Sequence, residues 1–274
     1  RTAWGFRPSC QRCPPSPWRA GVSSSTSGRH GHAKLTIQDG GMLVISGVNL
    51  ELAAQFDEGE RDNILITNGS KQALYMIFQV ICDLADEVIV PVPYWVSFVE
   101  QVKLAGGRPV PVATRNHRLN INAIEQALSP RTKAILINSP NNPSGAVYPI
   151  DDLHSIARLA ADHNLFIVAD EAYNAFVYDG GVCASMFDIK MVRDRLIVTR
   201  SFSKSYSMTG FRIGYVAAPD QIIAALSKIQ SHLSGNVCTF AQYGALAALS
   251  LDGQFLLNRL DMNVRSPFVG SQCH

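Results

Sequence analysis

From Asn63 onward, six short runs of β-branched and other apolar residues alternate with longer segments that suit helices. The runs read NILIT, EVIVPV, RPVPV, KAILIN, LFIVAD and RLIVT. Near-continuous apolar strands of this kind are buried on both faces of a sheet. Strands that alternate with helices form βαβ units, in which helices cover a parallel sheet on both sides. The alternation therefore predicts an α/β fold with three layers, αβα, and a mostly parallel sheet.

Four polar clusters directly follow four of these apolar runs. TNGSKQAL follows NILI, NSPNNPSG follows AILI, ADEAYNAF follows LFIV, and TRSFSK follows RLIV. Ligands of open α/β sheets bind outside the carboxyl ends of the strands. We therefore expect the four clusters to converge on one edge of the sheet and to form a binding site there.

The stretch SFSKSYSMTGFRIGY contains a single lysine, Lys204, among small hydroxyl and glycine residues. It lies between the apolar segments LIVT and IGYVAA rather than in a charged, amphipathic surface pattern. Partial desolvation disfavours the charged form of a lysine, so its amine becomes a usable nucleophile or base. The pattern predicts that Lys204 reacts with a carbonyl carbon or accepts a proton.

The segment after the first run predicts an anion site. The chain passes from a strand through Gly69 and Ser70 into an amphipathic helix, whose free N–H groups and dipole favour an anion such as phosphate. Arg212 would supply a fixed cation for the same anion. The alternatives are an ordinary glycine turn with a helix cap, and a surface arginine.

Asp170 follows a buried strand directly, where an unpaired carboxylate is costly. It needs a cationic partner such as a protonated ring nitrogen, unless it only caps a helix start. Tyr173, three residues later, can direct its hydroxyl to the same place.

Two further segments suggest how a planar ligand is held. Trp95 in PYWVSF has a broad face that could stack on a ring, although a tryptophan also suits the core. NSPNNPSGAVY places Asn138, Asn141 and Asn142 between prolines in a stiff loop. Rigid amides suit the orientation of a carboxylate or phenolate oxygen, and the alternative is an Asx and proline turn.

A lysine amine, a carboxylate for a ring nitrogen, an aromatic plate and a phosphate cradle are together the requirements of pyridoxal 5'-phosphate (PLP). Its aldehyde would form a Schiff base with Lys204, and its pyridinium nitrogen would pair with Asp170. These features together predict a PLP enzyme.

Read as motifs in this order, the segments from about Ile64 to Leu249 resemble the fold-type I, class I/II PLP-dependent aminotransferases, most closely the bacterial-type aspartate aminotransferases. The resemblance implies that Lys204, Asp170 and Tyr173 are catalytic and that Trp95 and Asn142 also contact substrate. It implies that the cofactor is bound by Gly69, Ser70, Lys71, Trp95, Asn142, Asp170, Tyr173, Ser201, Ser203, Lys204 and Arg212.

The same resemblance implies the transfer of an amino group between an L-amino acid and a 2-oxo acid in a homodimer. Two alternatives share every residue named above. One is a PLP-dependent lyase or decarboxylase of the same fold, and the other is a non-catalytic protein of this fold.

The resemblance also divides the chain. Residues 1–33 are rich in Arg, Ser, Pro and Gly and are expected to be disordered or foreign to the family. Residues 34–60 are expected to be a degenerate helical region, with Leu35 where the family usually has a tyrosine that reaches the neighbouring subunit's phosphate. Residues 61–250 would form the PLP-binding large domain, and residues 251–274 a truncated start of the small C-terminal domain. Because that domain brings an arginine for the substrate carboxylate, we expect cofactor binding with impaired transamination.

Composition restricts the partners and the compartment. With 274 residues and a formal net charge of +2, the chain has no excess of basic residues for nucleic acid or an anionic membrane. Its six cysteines are widely spread in a chain too long to need disulfides, so we expect reduced thiols and a cytoplasmic protein. CQRC has no second ligand pair, so no metal is expected. No apolar run approaches the roughly 18 residues of a membrane-spanning helix.

Overall fold

The computed structural model describes residues 63–178, 183–249 and 251, together with the backbone of two short strands nearer the N-terminus. These two strands, β1 (Lys34–Ile37) and β2 (Leu43–Ser46), pair antiparallel with Lys34 opposite Ser46. They fall within residues 34–60, where the sequence predicts a helical region. The eight residues form strands instead, in keeping with their apolar runs KLTI and LVIS on either side of a glycine pair. The other residues of this segment, like residues 1–33 and 252–274, lie outside the described part.

The main sheet has seven strands. They are β3 (Ile64–Thr67), β4 (Glu87–Val92), β5 (Arg108–Ala113), β6 (Thr132–Asn138), β7 (Phe166–Asp170), β8 (Leu196–Ser201) and β9 (Gly214–Ala217). Their order across the sheet is β3-β9-β8-β7-β6-β4-β5. Strand β9 pairs antiparallel with β3 and with β8, and the other neighbouring strands of this sheet pair parallel. The mostly parallel sheet predicted from the six apolar runs is therefore confirmed, and each run forms one strand.

The helices of the described residues are α1 (Ser70–Ile81), α2 (Ser97–Leu104), α3 (Ile121–Gln126), α4 (Ile150–Asp162), α5 (Phe202–Ser205), α6 (Asp220–Leu233) and α7 (Thr239–Leu249). Two short 3₁₀ helices, Met186–Asp188 and Lys190–Arg195, precede β8. None of the described helices is both long and apolar enough to cross a membrane.

Helix α1 shows how the sequence directs one face inward. Its buried residues include Ala73, Leu74, Ile77, Phe78 and Ile81, which recur at spacings of three and four residues. Residues at this spacing lie on one side of a helix and form its apolar stripe. The stripe packs α1 against the sheet, and the first turn of the helix comes directly after the end of β3.

Helices cover both faces of the sheet, because successive strand residues contribute to two separate hydrophobic clusters. Ile167 and Ala169 of β7 belong to one cluster with Ile156 of α4. Val168 of the same strand belongs to the other cluster with Leu74 of α1. Alternate residues of a strand point to opposite faces, so each face has its own core. The three-layer αβα architecture predicted from the sequence is thus confirmed.

Candidate active site

A cavity of about 330 Å³ opens where β3, β6, β7 and β8 end at their carboxyl termini. Its volume lies in the range of about 300–1,000 Å³ that is typical of small-molecule sites. Its lining residues are Ser70, Lys71, Trp95, Phe98, Asn138, Asn142, Asp170, Ala172, Tyr173, Ser201, Ser203, Lys204, Thr209 and Arg212. The structure therefore brings together every predicted site residue except Gly69, which adjoins the cavity through its contact with Arg212.

Ser70 and Arg212 form one wall of the cavity, and Gly69 adjoins this wall. Gly69 has φ 78°, and a Cβ atom added to it would lie only 2.6 Å from Nη2 of Arg212. The lack of a side chain at Gly69 lets the guanidinium approach the bare backbone ahead of α1. Helix α1 begins at Ser70 without a side-chain cap and without an acidic residue in its first turn. A cation and uncapped N–H groups therefore share this wall, which suits an anion.

Arg212 is held in place by other groups of the same wall. Its Nη1 donates to the backbone oxygen of Thr209 at 2.9 Å and to Oγ of Ser203 at 3.2 Å. Ser201 caps the short helix α5, since its Oγ accepts the N–H of Ser203 at 3.1 Å. Both predicted serines thus lie beside the predicted arginine, and none of the ion pairs in the described part of the chain involves Arg212.

Asp170 is the last residue of β7 and is only 4% exposed. Its Oδ1 accepts the N–H of Ala172 at 3.1 Å and the hydroxyl of Thr199 at 3.3 Å. Burial raises the pKa of this carboxyl to about 6, and the two hydrogen bonds offset part of that effect. No lysine or arginine among the described residues forms an ion pair with it. The residues after Asp170 form turns rather than an α-helix, so a helix cap does not account for the carboxylate.

Glu171, the next residue, is paired within the protein. Its Oε2 accepts Nη2 and Nε of Arg200 at 2.7 and 3.0 Å, and Oε1 accepts the N–H of Met186 at 3.0 Å. Ser185 adds a hydroxyl donor to the same carboxylate. Both members of this ion pair are buried, with side-chain exposures of 4% for Glu171 and 11% for Arg200. Of the two neighbouring acids, only Asp170 lines the cavity.

Lys204 lies in the single turn of α5. The other three residues of this turn, Phe202, Ser203 and Ser205, are buried. Its Nζ is 5.5 Å from the centre of the Tyr173 ring. Both side chains line the cavity, and no described acid forms an ion pair with the lysine. The amine therefore faces the same space as the carboxylate of Asp170.

Trp95 forms another part of the wall. Its ring meets Phe98 edge to face, with centroids 5.4 Å apart and planes at 90°. Nζ of Lys71 lies 4.8 Å from the Trp95 ring centre, close enough for a cation–π contact. Lys71 and Trp95 both line the cavity, so the Lys71 side chain contacts a ring of the cavity wall.

The three asparagines of the proline loop have different environments. Asn138 donates to the backbone oxygen of Asp170 at 2.9 Å and accepts the N–H of Asn142 at 2.8 Å. Asn141 donates to the backbone oxygen of Pro93 and accepts from Ser144. The amide of Asn142 lines the cavity and makes no side-chain hydrogen bond that is described within residues 63–251. Asn138 and Asn141 thus hold the loop in place, and Asn142 is left to contact a ligand.

A model of the family described as aminotransferase class I and II matches residues 49–265. The chain belongs to this family. Members of the family depend on PLP.

Individual members give the same result. The chain is 41% identical over 227 residues to an aspartate aminotransferase of Geobacillus stearothermophilus, across 80% of this chain and 57% of that protein. It is 39% identical over 192 residues to an aspartate/prephenate aminotransferase of Thermus thermophilus, across 69% of this chain and 49% of that protein. The crystal structure of an aspartate aminotransferase from Thermotoga maritima superposes with a TM-score of 0.73 at 40% identity, covering 77% and 57% of the two chains. This aminotransferase-family chain therefore spans about half of the length of the relatives it matches.

The residues of the cavity fit the cofactor of the aminotransferase family. A buried carboxylate without a described cationic partner suits a protonated ring nitrogen, since an isolated buried charge is otherwise costly. The bare backbone at Gly69, the start of α1 and Arg212 suit a phosphate. The amine of Lys204 and the amide of Asn142 lie on the same cavity.

Some residues at this candidate site were not predicted from the sequence. Thr199 contacts Asp170, the pair of Glu171 and Arg200 lies beside it, and Thr209 lines the cavity and accepts from Arg212. Thr199 and Arg200 lie within TRSFSK, so their proximity to the site was visible. Which acid each of them faces depends on the register between β7 and β8, which the sequence does not give.

Proposed function

We propose that this chain binds PLP and takes part in the transfer of an amino group between an L-amino acid and a 2-oxo acid. The observation that carries the proposal is the buried carboxylate of Asp170, which shares its cavity with the amine of Lys204 and has no described cationic partner. Membership in the aminotransferase family supports it. Because several relatives are aspartate aminotransferases, we propose aspartate as an amino donor.

When bound, PLP supplies an aldehyde that reacts with amines and a ring that withdraws electrons from the substrate carbon. Asp170 would hold a proton on the ring nitrogen and so keep the ring electron-poor. Lys204 would carry the cofactor in the resting protein. Its amine, when free, would accept the α-proton of a bound substrate and later give a proton back.

The other lining residues would bind and orient. Arg212, Ser201, Ser203, the backbone at Gly69 and the start of α1 would bind the phosphate. Tyr173 and Asn142 would donate to the phenolic oxygen, and Trp95 would stack on the ring. Lys71 would add positive charge near the phosphate and the ring face. Trp95 and Asn142 would also contact the substrate.

The partners and the compartment are also proposed here. We propose a homodimer, because the family resemblance implies subunits that share their sites. We propose the cytoplasm as the location, in keeping with the free thiols of Cys82, Cys183 and Cys238 among the described residues. Gel filtration with light scattering would test the first proposal, and fractionation of the source cells would test the second.

The decisive experiment is a visible absorption spectrum of the purified 274-residue chain with added PLP. We expect an absorption band of bound cofactor that changes when aspartate is added, with the formation of a 2-oxo acid in the presence of 2-oxoglutarate. Lys204→Ala should abolish the band of the lysine-linked form while the cofactor still binds. Release of carbon dioxide or of a product that needs no second oxo acid would indicate a decarboxylase or lyase instead. A chain that binds PLP but gives no spectral change with any amino acid would contradict the proposed transfer.

A further inference from the structure

The two acids at the end of β7 have different partners on the adjacent strand β8. In the parallel ladder Asp170 is paired with Thr199, and the N–H of Glu171 donates to the backbone oxygen of Thr199 at 2.9 Å. The hydroxyl of Thr199 lies 3.3 Å from Oδ1 of Asp170, and the guanidinium of Arg200 binds Glu171. Each acid therefore has one side-chain partner on β8.

These partners have opposite consequences for the two charges. Arg200 neutralises Glu171, so that acid attracts no further cation. A neutral hydroxyl orients the carboxylate of Asp170 and stabilises its charge without cancelling it. Two hydrogen bonds are described for the carboxylate of Asp170, one from the backbone N–H of Ala172 and one from the hydroxyl of Thr199. Both end on Oδ1. The second oxygen, Oδ2, has no hydrogen bond described within the protein, and Asp170 lines the cavity.

We infer that Thr199 is a positioning residue, whose hydroxyl fixes the Asp170 carboxylate so that Oδ2 faces a cationic ring nitrogen in the cavity. The inference rests on the proposed function, because the nitrogen belongs to the proposed cofactor. Thr199 is fully buried, and a buried hydroxyl needs an acceptor. The experiment must therefore separate two cases. In one, the hydroxyl of Thr199 orients the Asp170 carboxylate; in the other, the carboxylate only provides the acceptor that a buried hydroxyl needs.

The groups around Asp170 make its pKa the property that distinguishes an orienting role of Thr199 from a structural one. Burial raises its pKa, the N–H of Ala172 and the hydroxyl of Thr199 lower it, and the charge of Glu171 raises it. Removing the hydroxyl should therefore raise the pKa further. The other ionisable side chains that line the cavity are Lys71, Tyr173, Lys204 and Arg212, and all of them remain unchanged in the variants. The shift can then be assigned to Thr199.

The experiment measures the Kd of two ligands for the full 274-residue chain by calorimetry across a pH series. One ligand is pyridoxamine 5'-phosphate, whose amine cannot condense with Lys204. The other is its carba analogue, in which C–H replaces the ring nitrogen, so it cannot pair with Asp170. The variants are Thr199→Val, which keeps the shape without the donor, and Thr199→Ser, which keeps the donor. Thr114→Val is the matched control, because the Thr114 hydroxyl binds only the backbone oxygen of Val92, at 2.7 Å, and does not line the cavity.

We expect the unmodified chain to prefer the nitrogen ligand at pH 8 and to lose that preference as Asp170 is protonated, near pH 6. Thr199→Val should reduce the preference at pH 8 by roughly two- to tenfold, the effect of one ordinary hydrogen bond. It should also move the loss of preference to higher pH. The Kd of the carba analogue should stay unchanged, and Thr199→Ser should restore both properties. Thr114→Val should match the unmodified chain.

Several outcomes would overturn the inference. One is a Thr199→Val variant that prefers the nitrogen ligand over the carba analogue as strongly as the unmodified chain does and loses this preference at the same pH. Another is an equal loss of affinity for both ligands, which would show a general role in packing. If Thr199→Val does not fold, a Thr199→Ser variant with an altered midpoint would also contradict the inference. An unmodified chain that binds both ligands equally would overturn the pairing of Asp170 with the ring nitrogen, and thus the proposed function itself.

Discussion

Replacing Asp170 by Asn should stabilise the cofactor-free chain while it destroys the proposed activity. Burial raises the pKa of Asp170 from 3.8 to about 6, so the folded chain at neutral pH contains an ionised carboxylate in an unfavourable place. Each tenfold change in an acid dissociation constant is worth about 1.4 kcal/mol, so the difference of about two pKa units amounts to about 3 kcal/mol at pH 7. Asn keeps Oδ1 as an acceptor for Ala172 and Thr199, and removes the charge.

The sign of the pH dependence follows from the direction of the shift. A pKa that is raised in the folded state means that the folded chain binds the proton more tightly than the unfolded chain does. The stability that Asp170 contributes is therefore fully present below pH 4 and is lost as the pH rises to about 6. We expect Asp170→Asn to exceed the unmodified chain in free energy of unfolding by about 3 kcal/mol at pH 7, and we expect most of this difference to disappear by pH 4.

Urea unfolding of both cofactor-free chains at pH 4, 5, 6 and 7, followed by circular dichroism, measures this difference. Asp162→Asn, at the exposed end of α4, is the control and should change stability by no more than about 0.5 kcal/mol. In the presence of saturating pyridoxamine phosphate at pH 7, the unmodified chain should gain more stability than the variant, because only the carboxylate pairs with the ring nitrogen. A variant that is less stable at pH 7, or a difference that does not change with pH, would show that the Asp170 charge is not unfavourable in the cofactor-free chain.

Other substitutions test other parts of the site. Gly69→Ala should weaken binding of pyridoxamine phosphate measurably by calorimetry, because the added Cβ displaces the Arg212 guanidinium; unchanged affinity would show that Arg212 does not bind the phosphate. Borohydride reduction of the PLP-loaded chain should fix the cofactor on Lys204, and a peptide mass map that places it on another lysine would contradict that role. Arg200→Met should lower the free energy of unfolding by about 3–5 kcal/mol, since it leaves Glu171 buried and unpaired. Adding Glu171→Gln should recover much of that loss in urea unfolding, and no recovery would show that the pair is not the cause.

The sequence predicted the sheet well because its signal is local. Each apolar run is bounded by turn residues and separated from the next by a segment that suits a helix, and all six became strands. Strand β9 was not among the six predicted runs, because its apolar segment IGYVAA follows TGFR directly and is not preceded by a segment that suits a helix. The order of the strands was also not predicted, because pairing depends on contacts between residues far apart in the chain.

The site residues were predictable for a related reason. The rule that polar residues at the carboxyl ends of strands share one edge needs only the strand positions, and it brought Asp170, Asn142 and Lys204 together before any distance was known. The rule does not give the hydrogen-bond partner of each side chain. It does not show that Asn138 and Asn141 are used to hold their loop, which leaves Asn142 for a ligand. Those assignments depend on side-chain hydrogen bonds.

The choice between Asp170 and Glu171 shows how strand alternation can select one of two neighbouring acids. Val168 of β7 and Ile197 of β8 point to the face covered by α1, so Asp170 and Thr199, each two residues further on, lie on that same face. Glu171 and Arg200, one residue later, continue the opposite face, which carries Met186 and Phe187.

The uncapped N-terminus of α1, which we propose as part of the phosphate site, belongs to the helix on this same face, so Asp170 and the proposed anion site lie on one side of the sheet. A slip of one residue in both strands would exchange the pairs. The cavity would then face a carboxylate already neutralised by an arginine, which has no charge to offer a pyridinium. The site therefore depends on which residues of β7 and β8 point to the α1 face of the sheet, as much as on the identity of those residues.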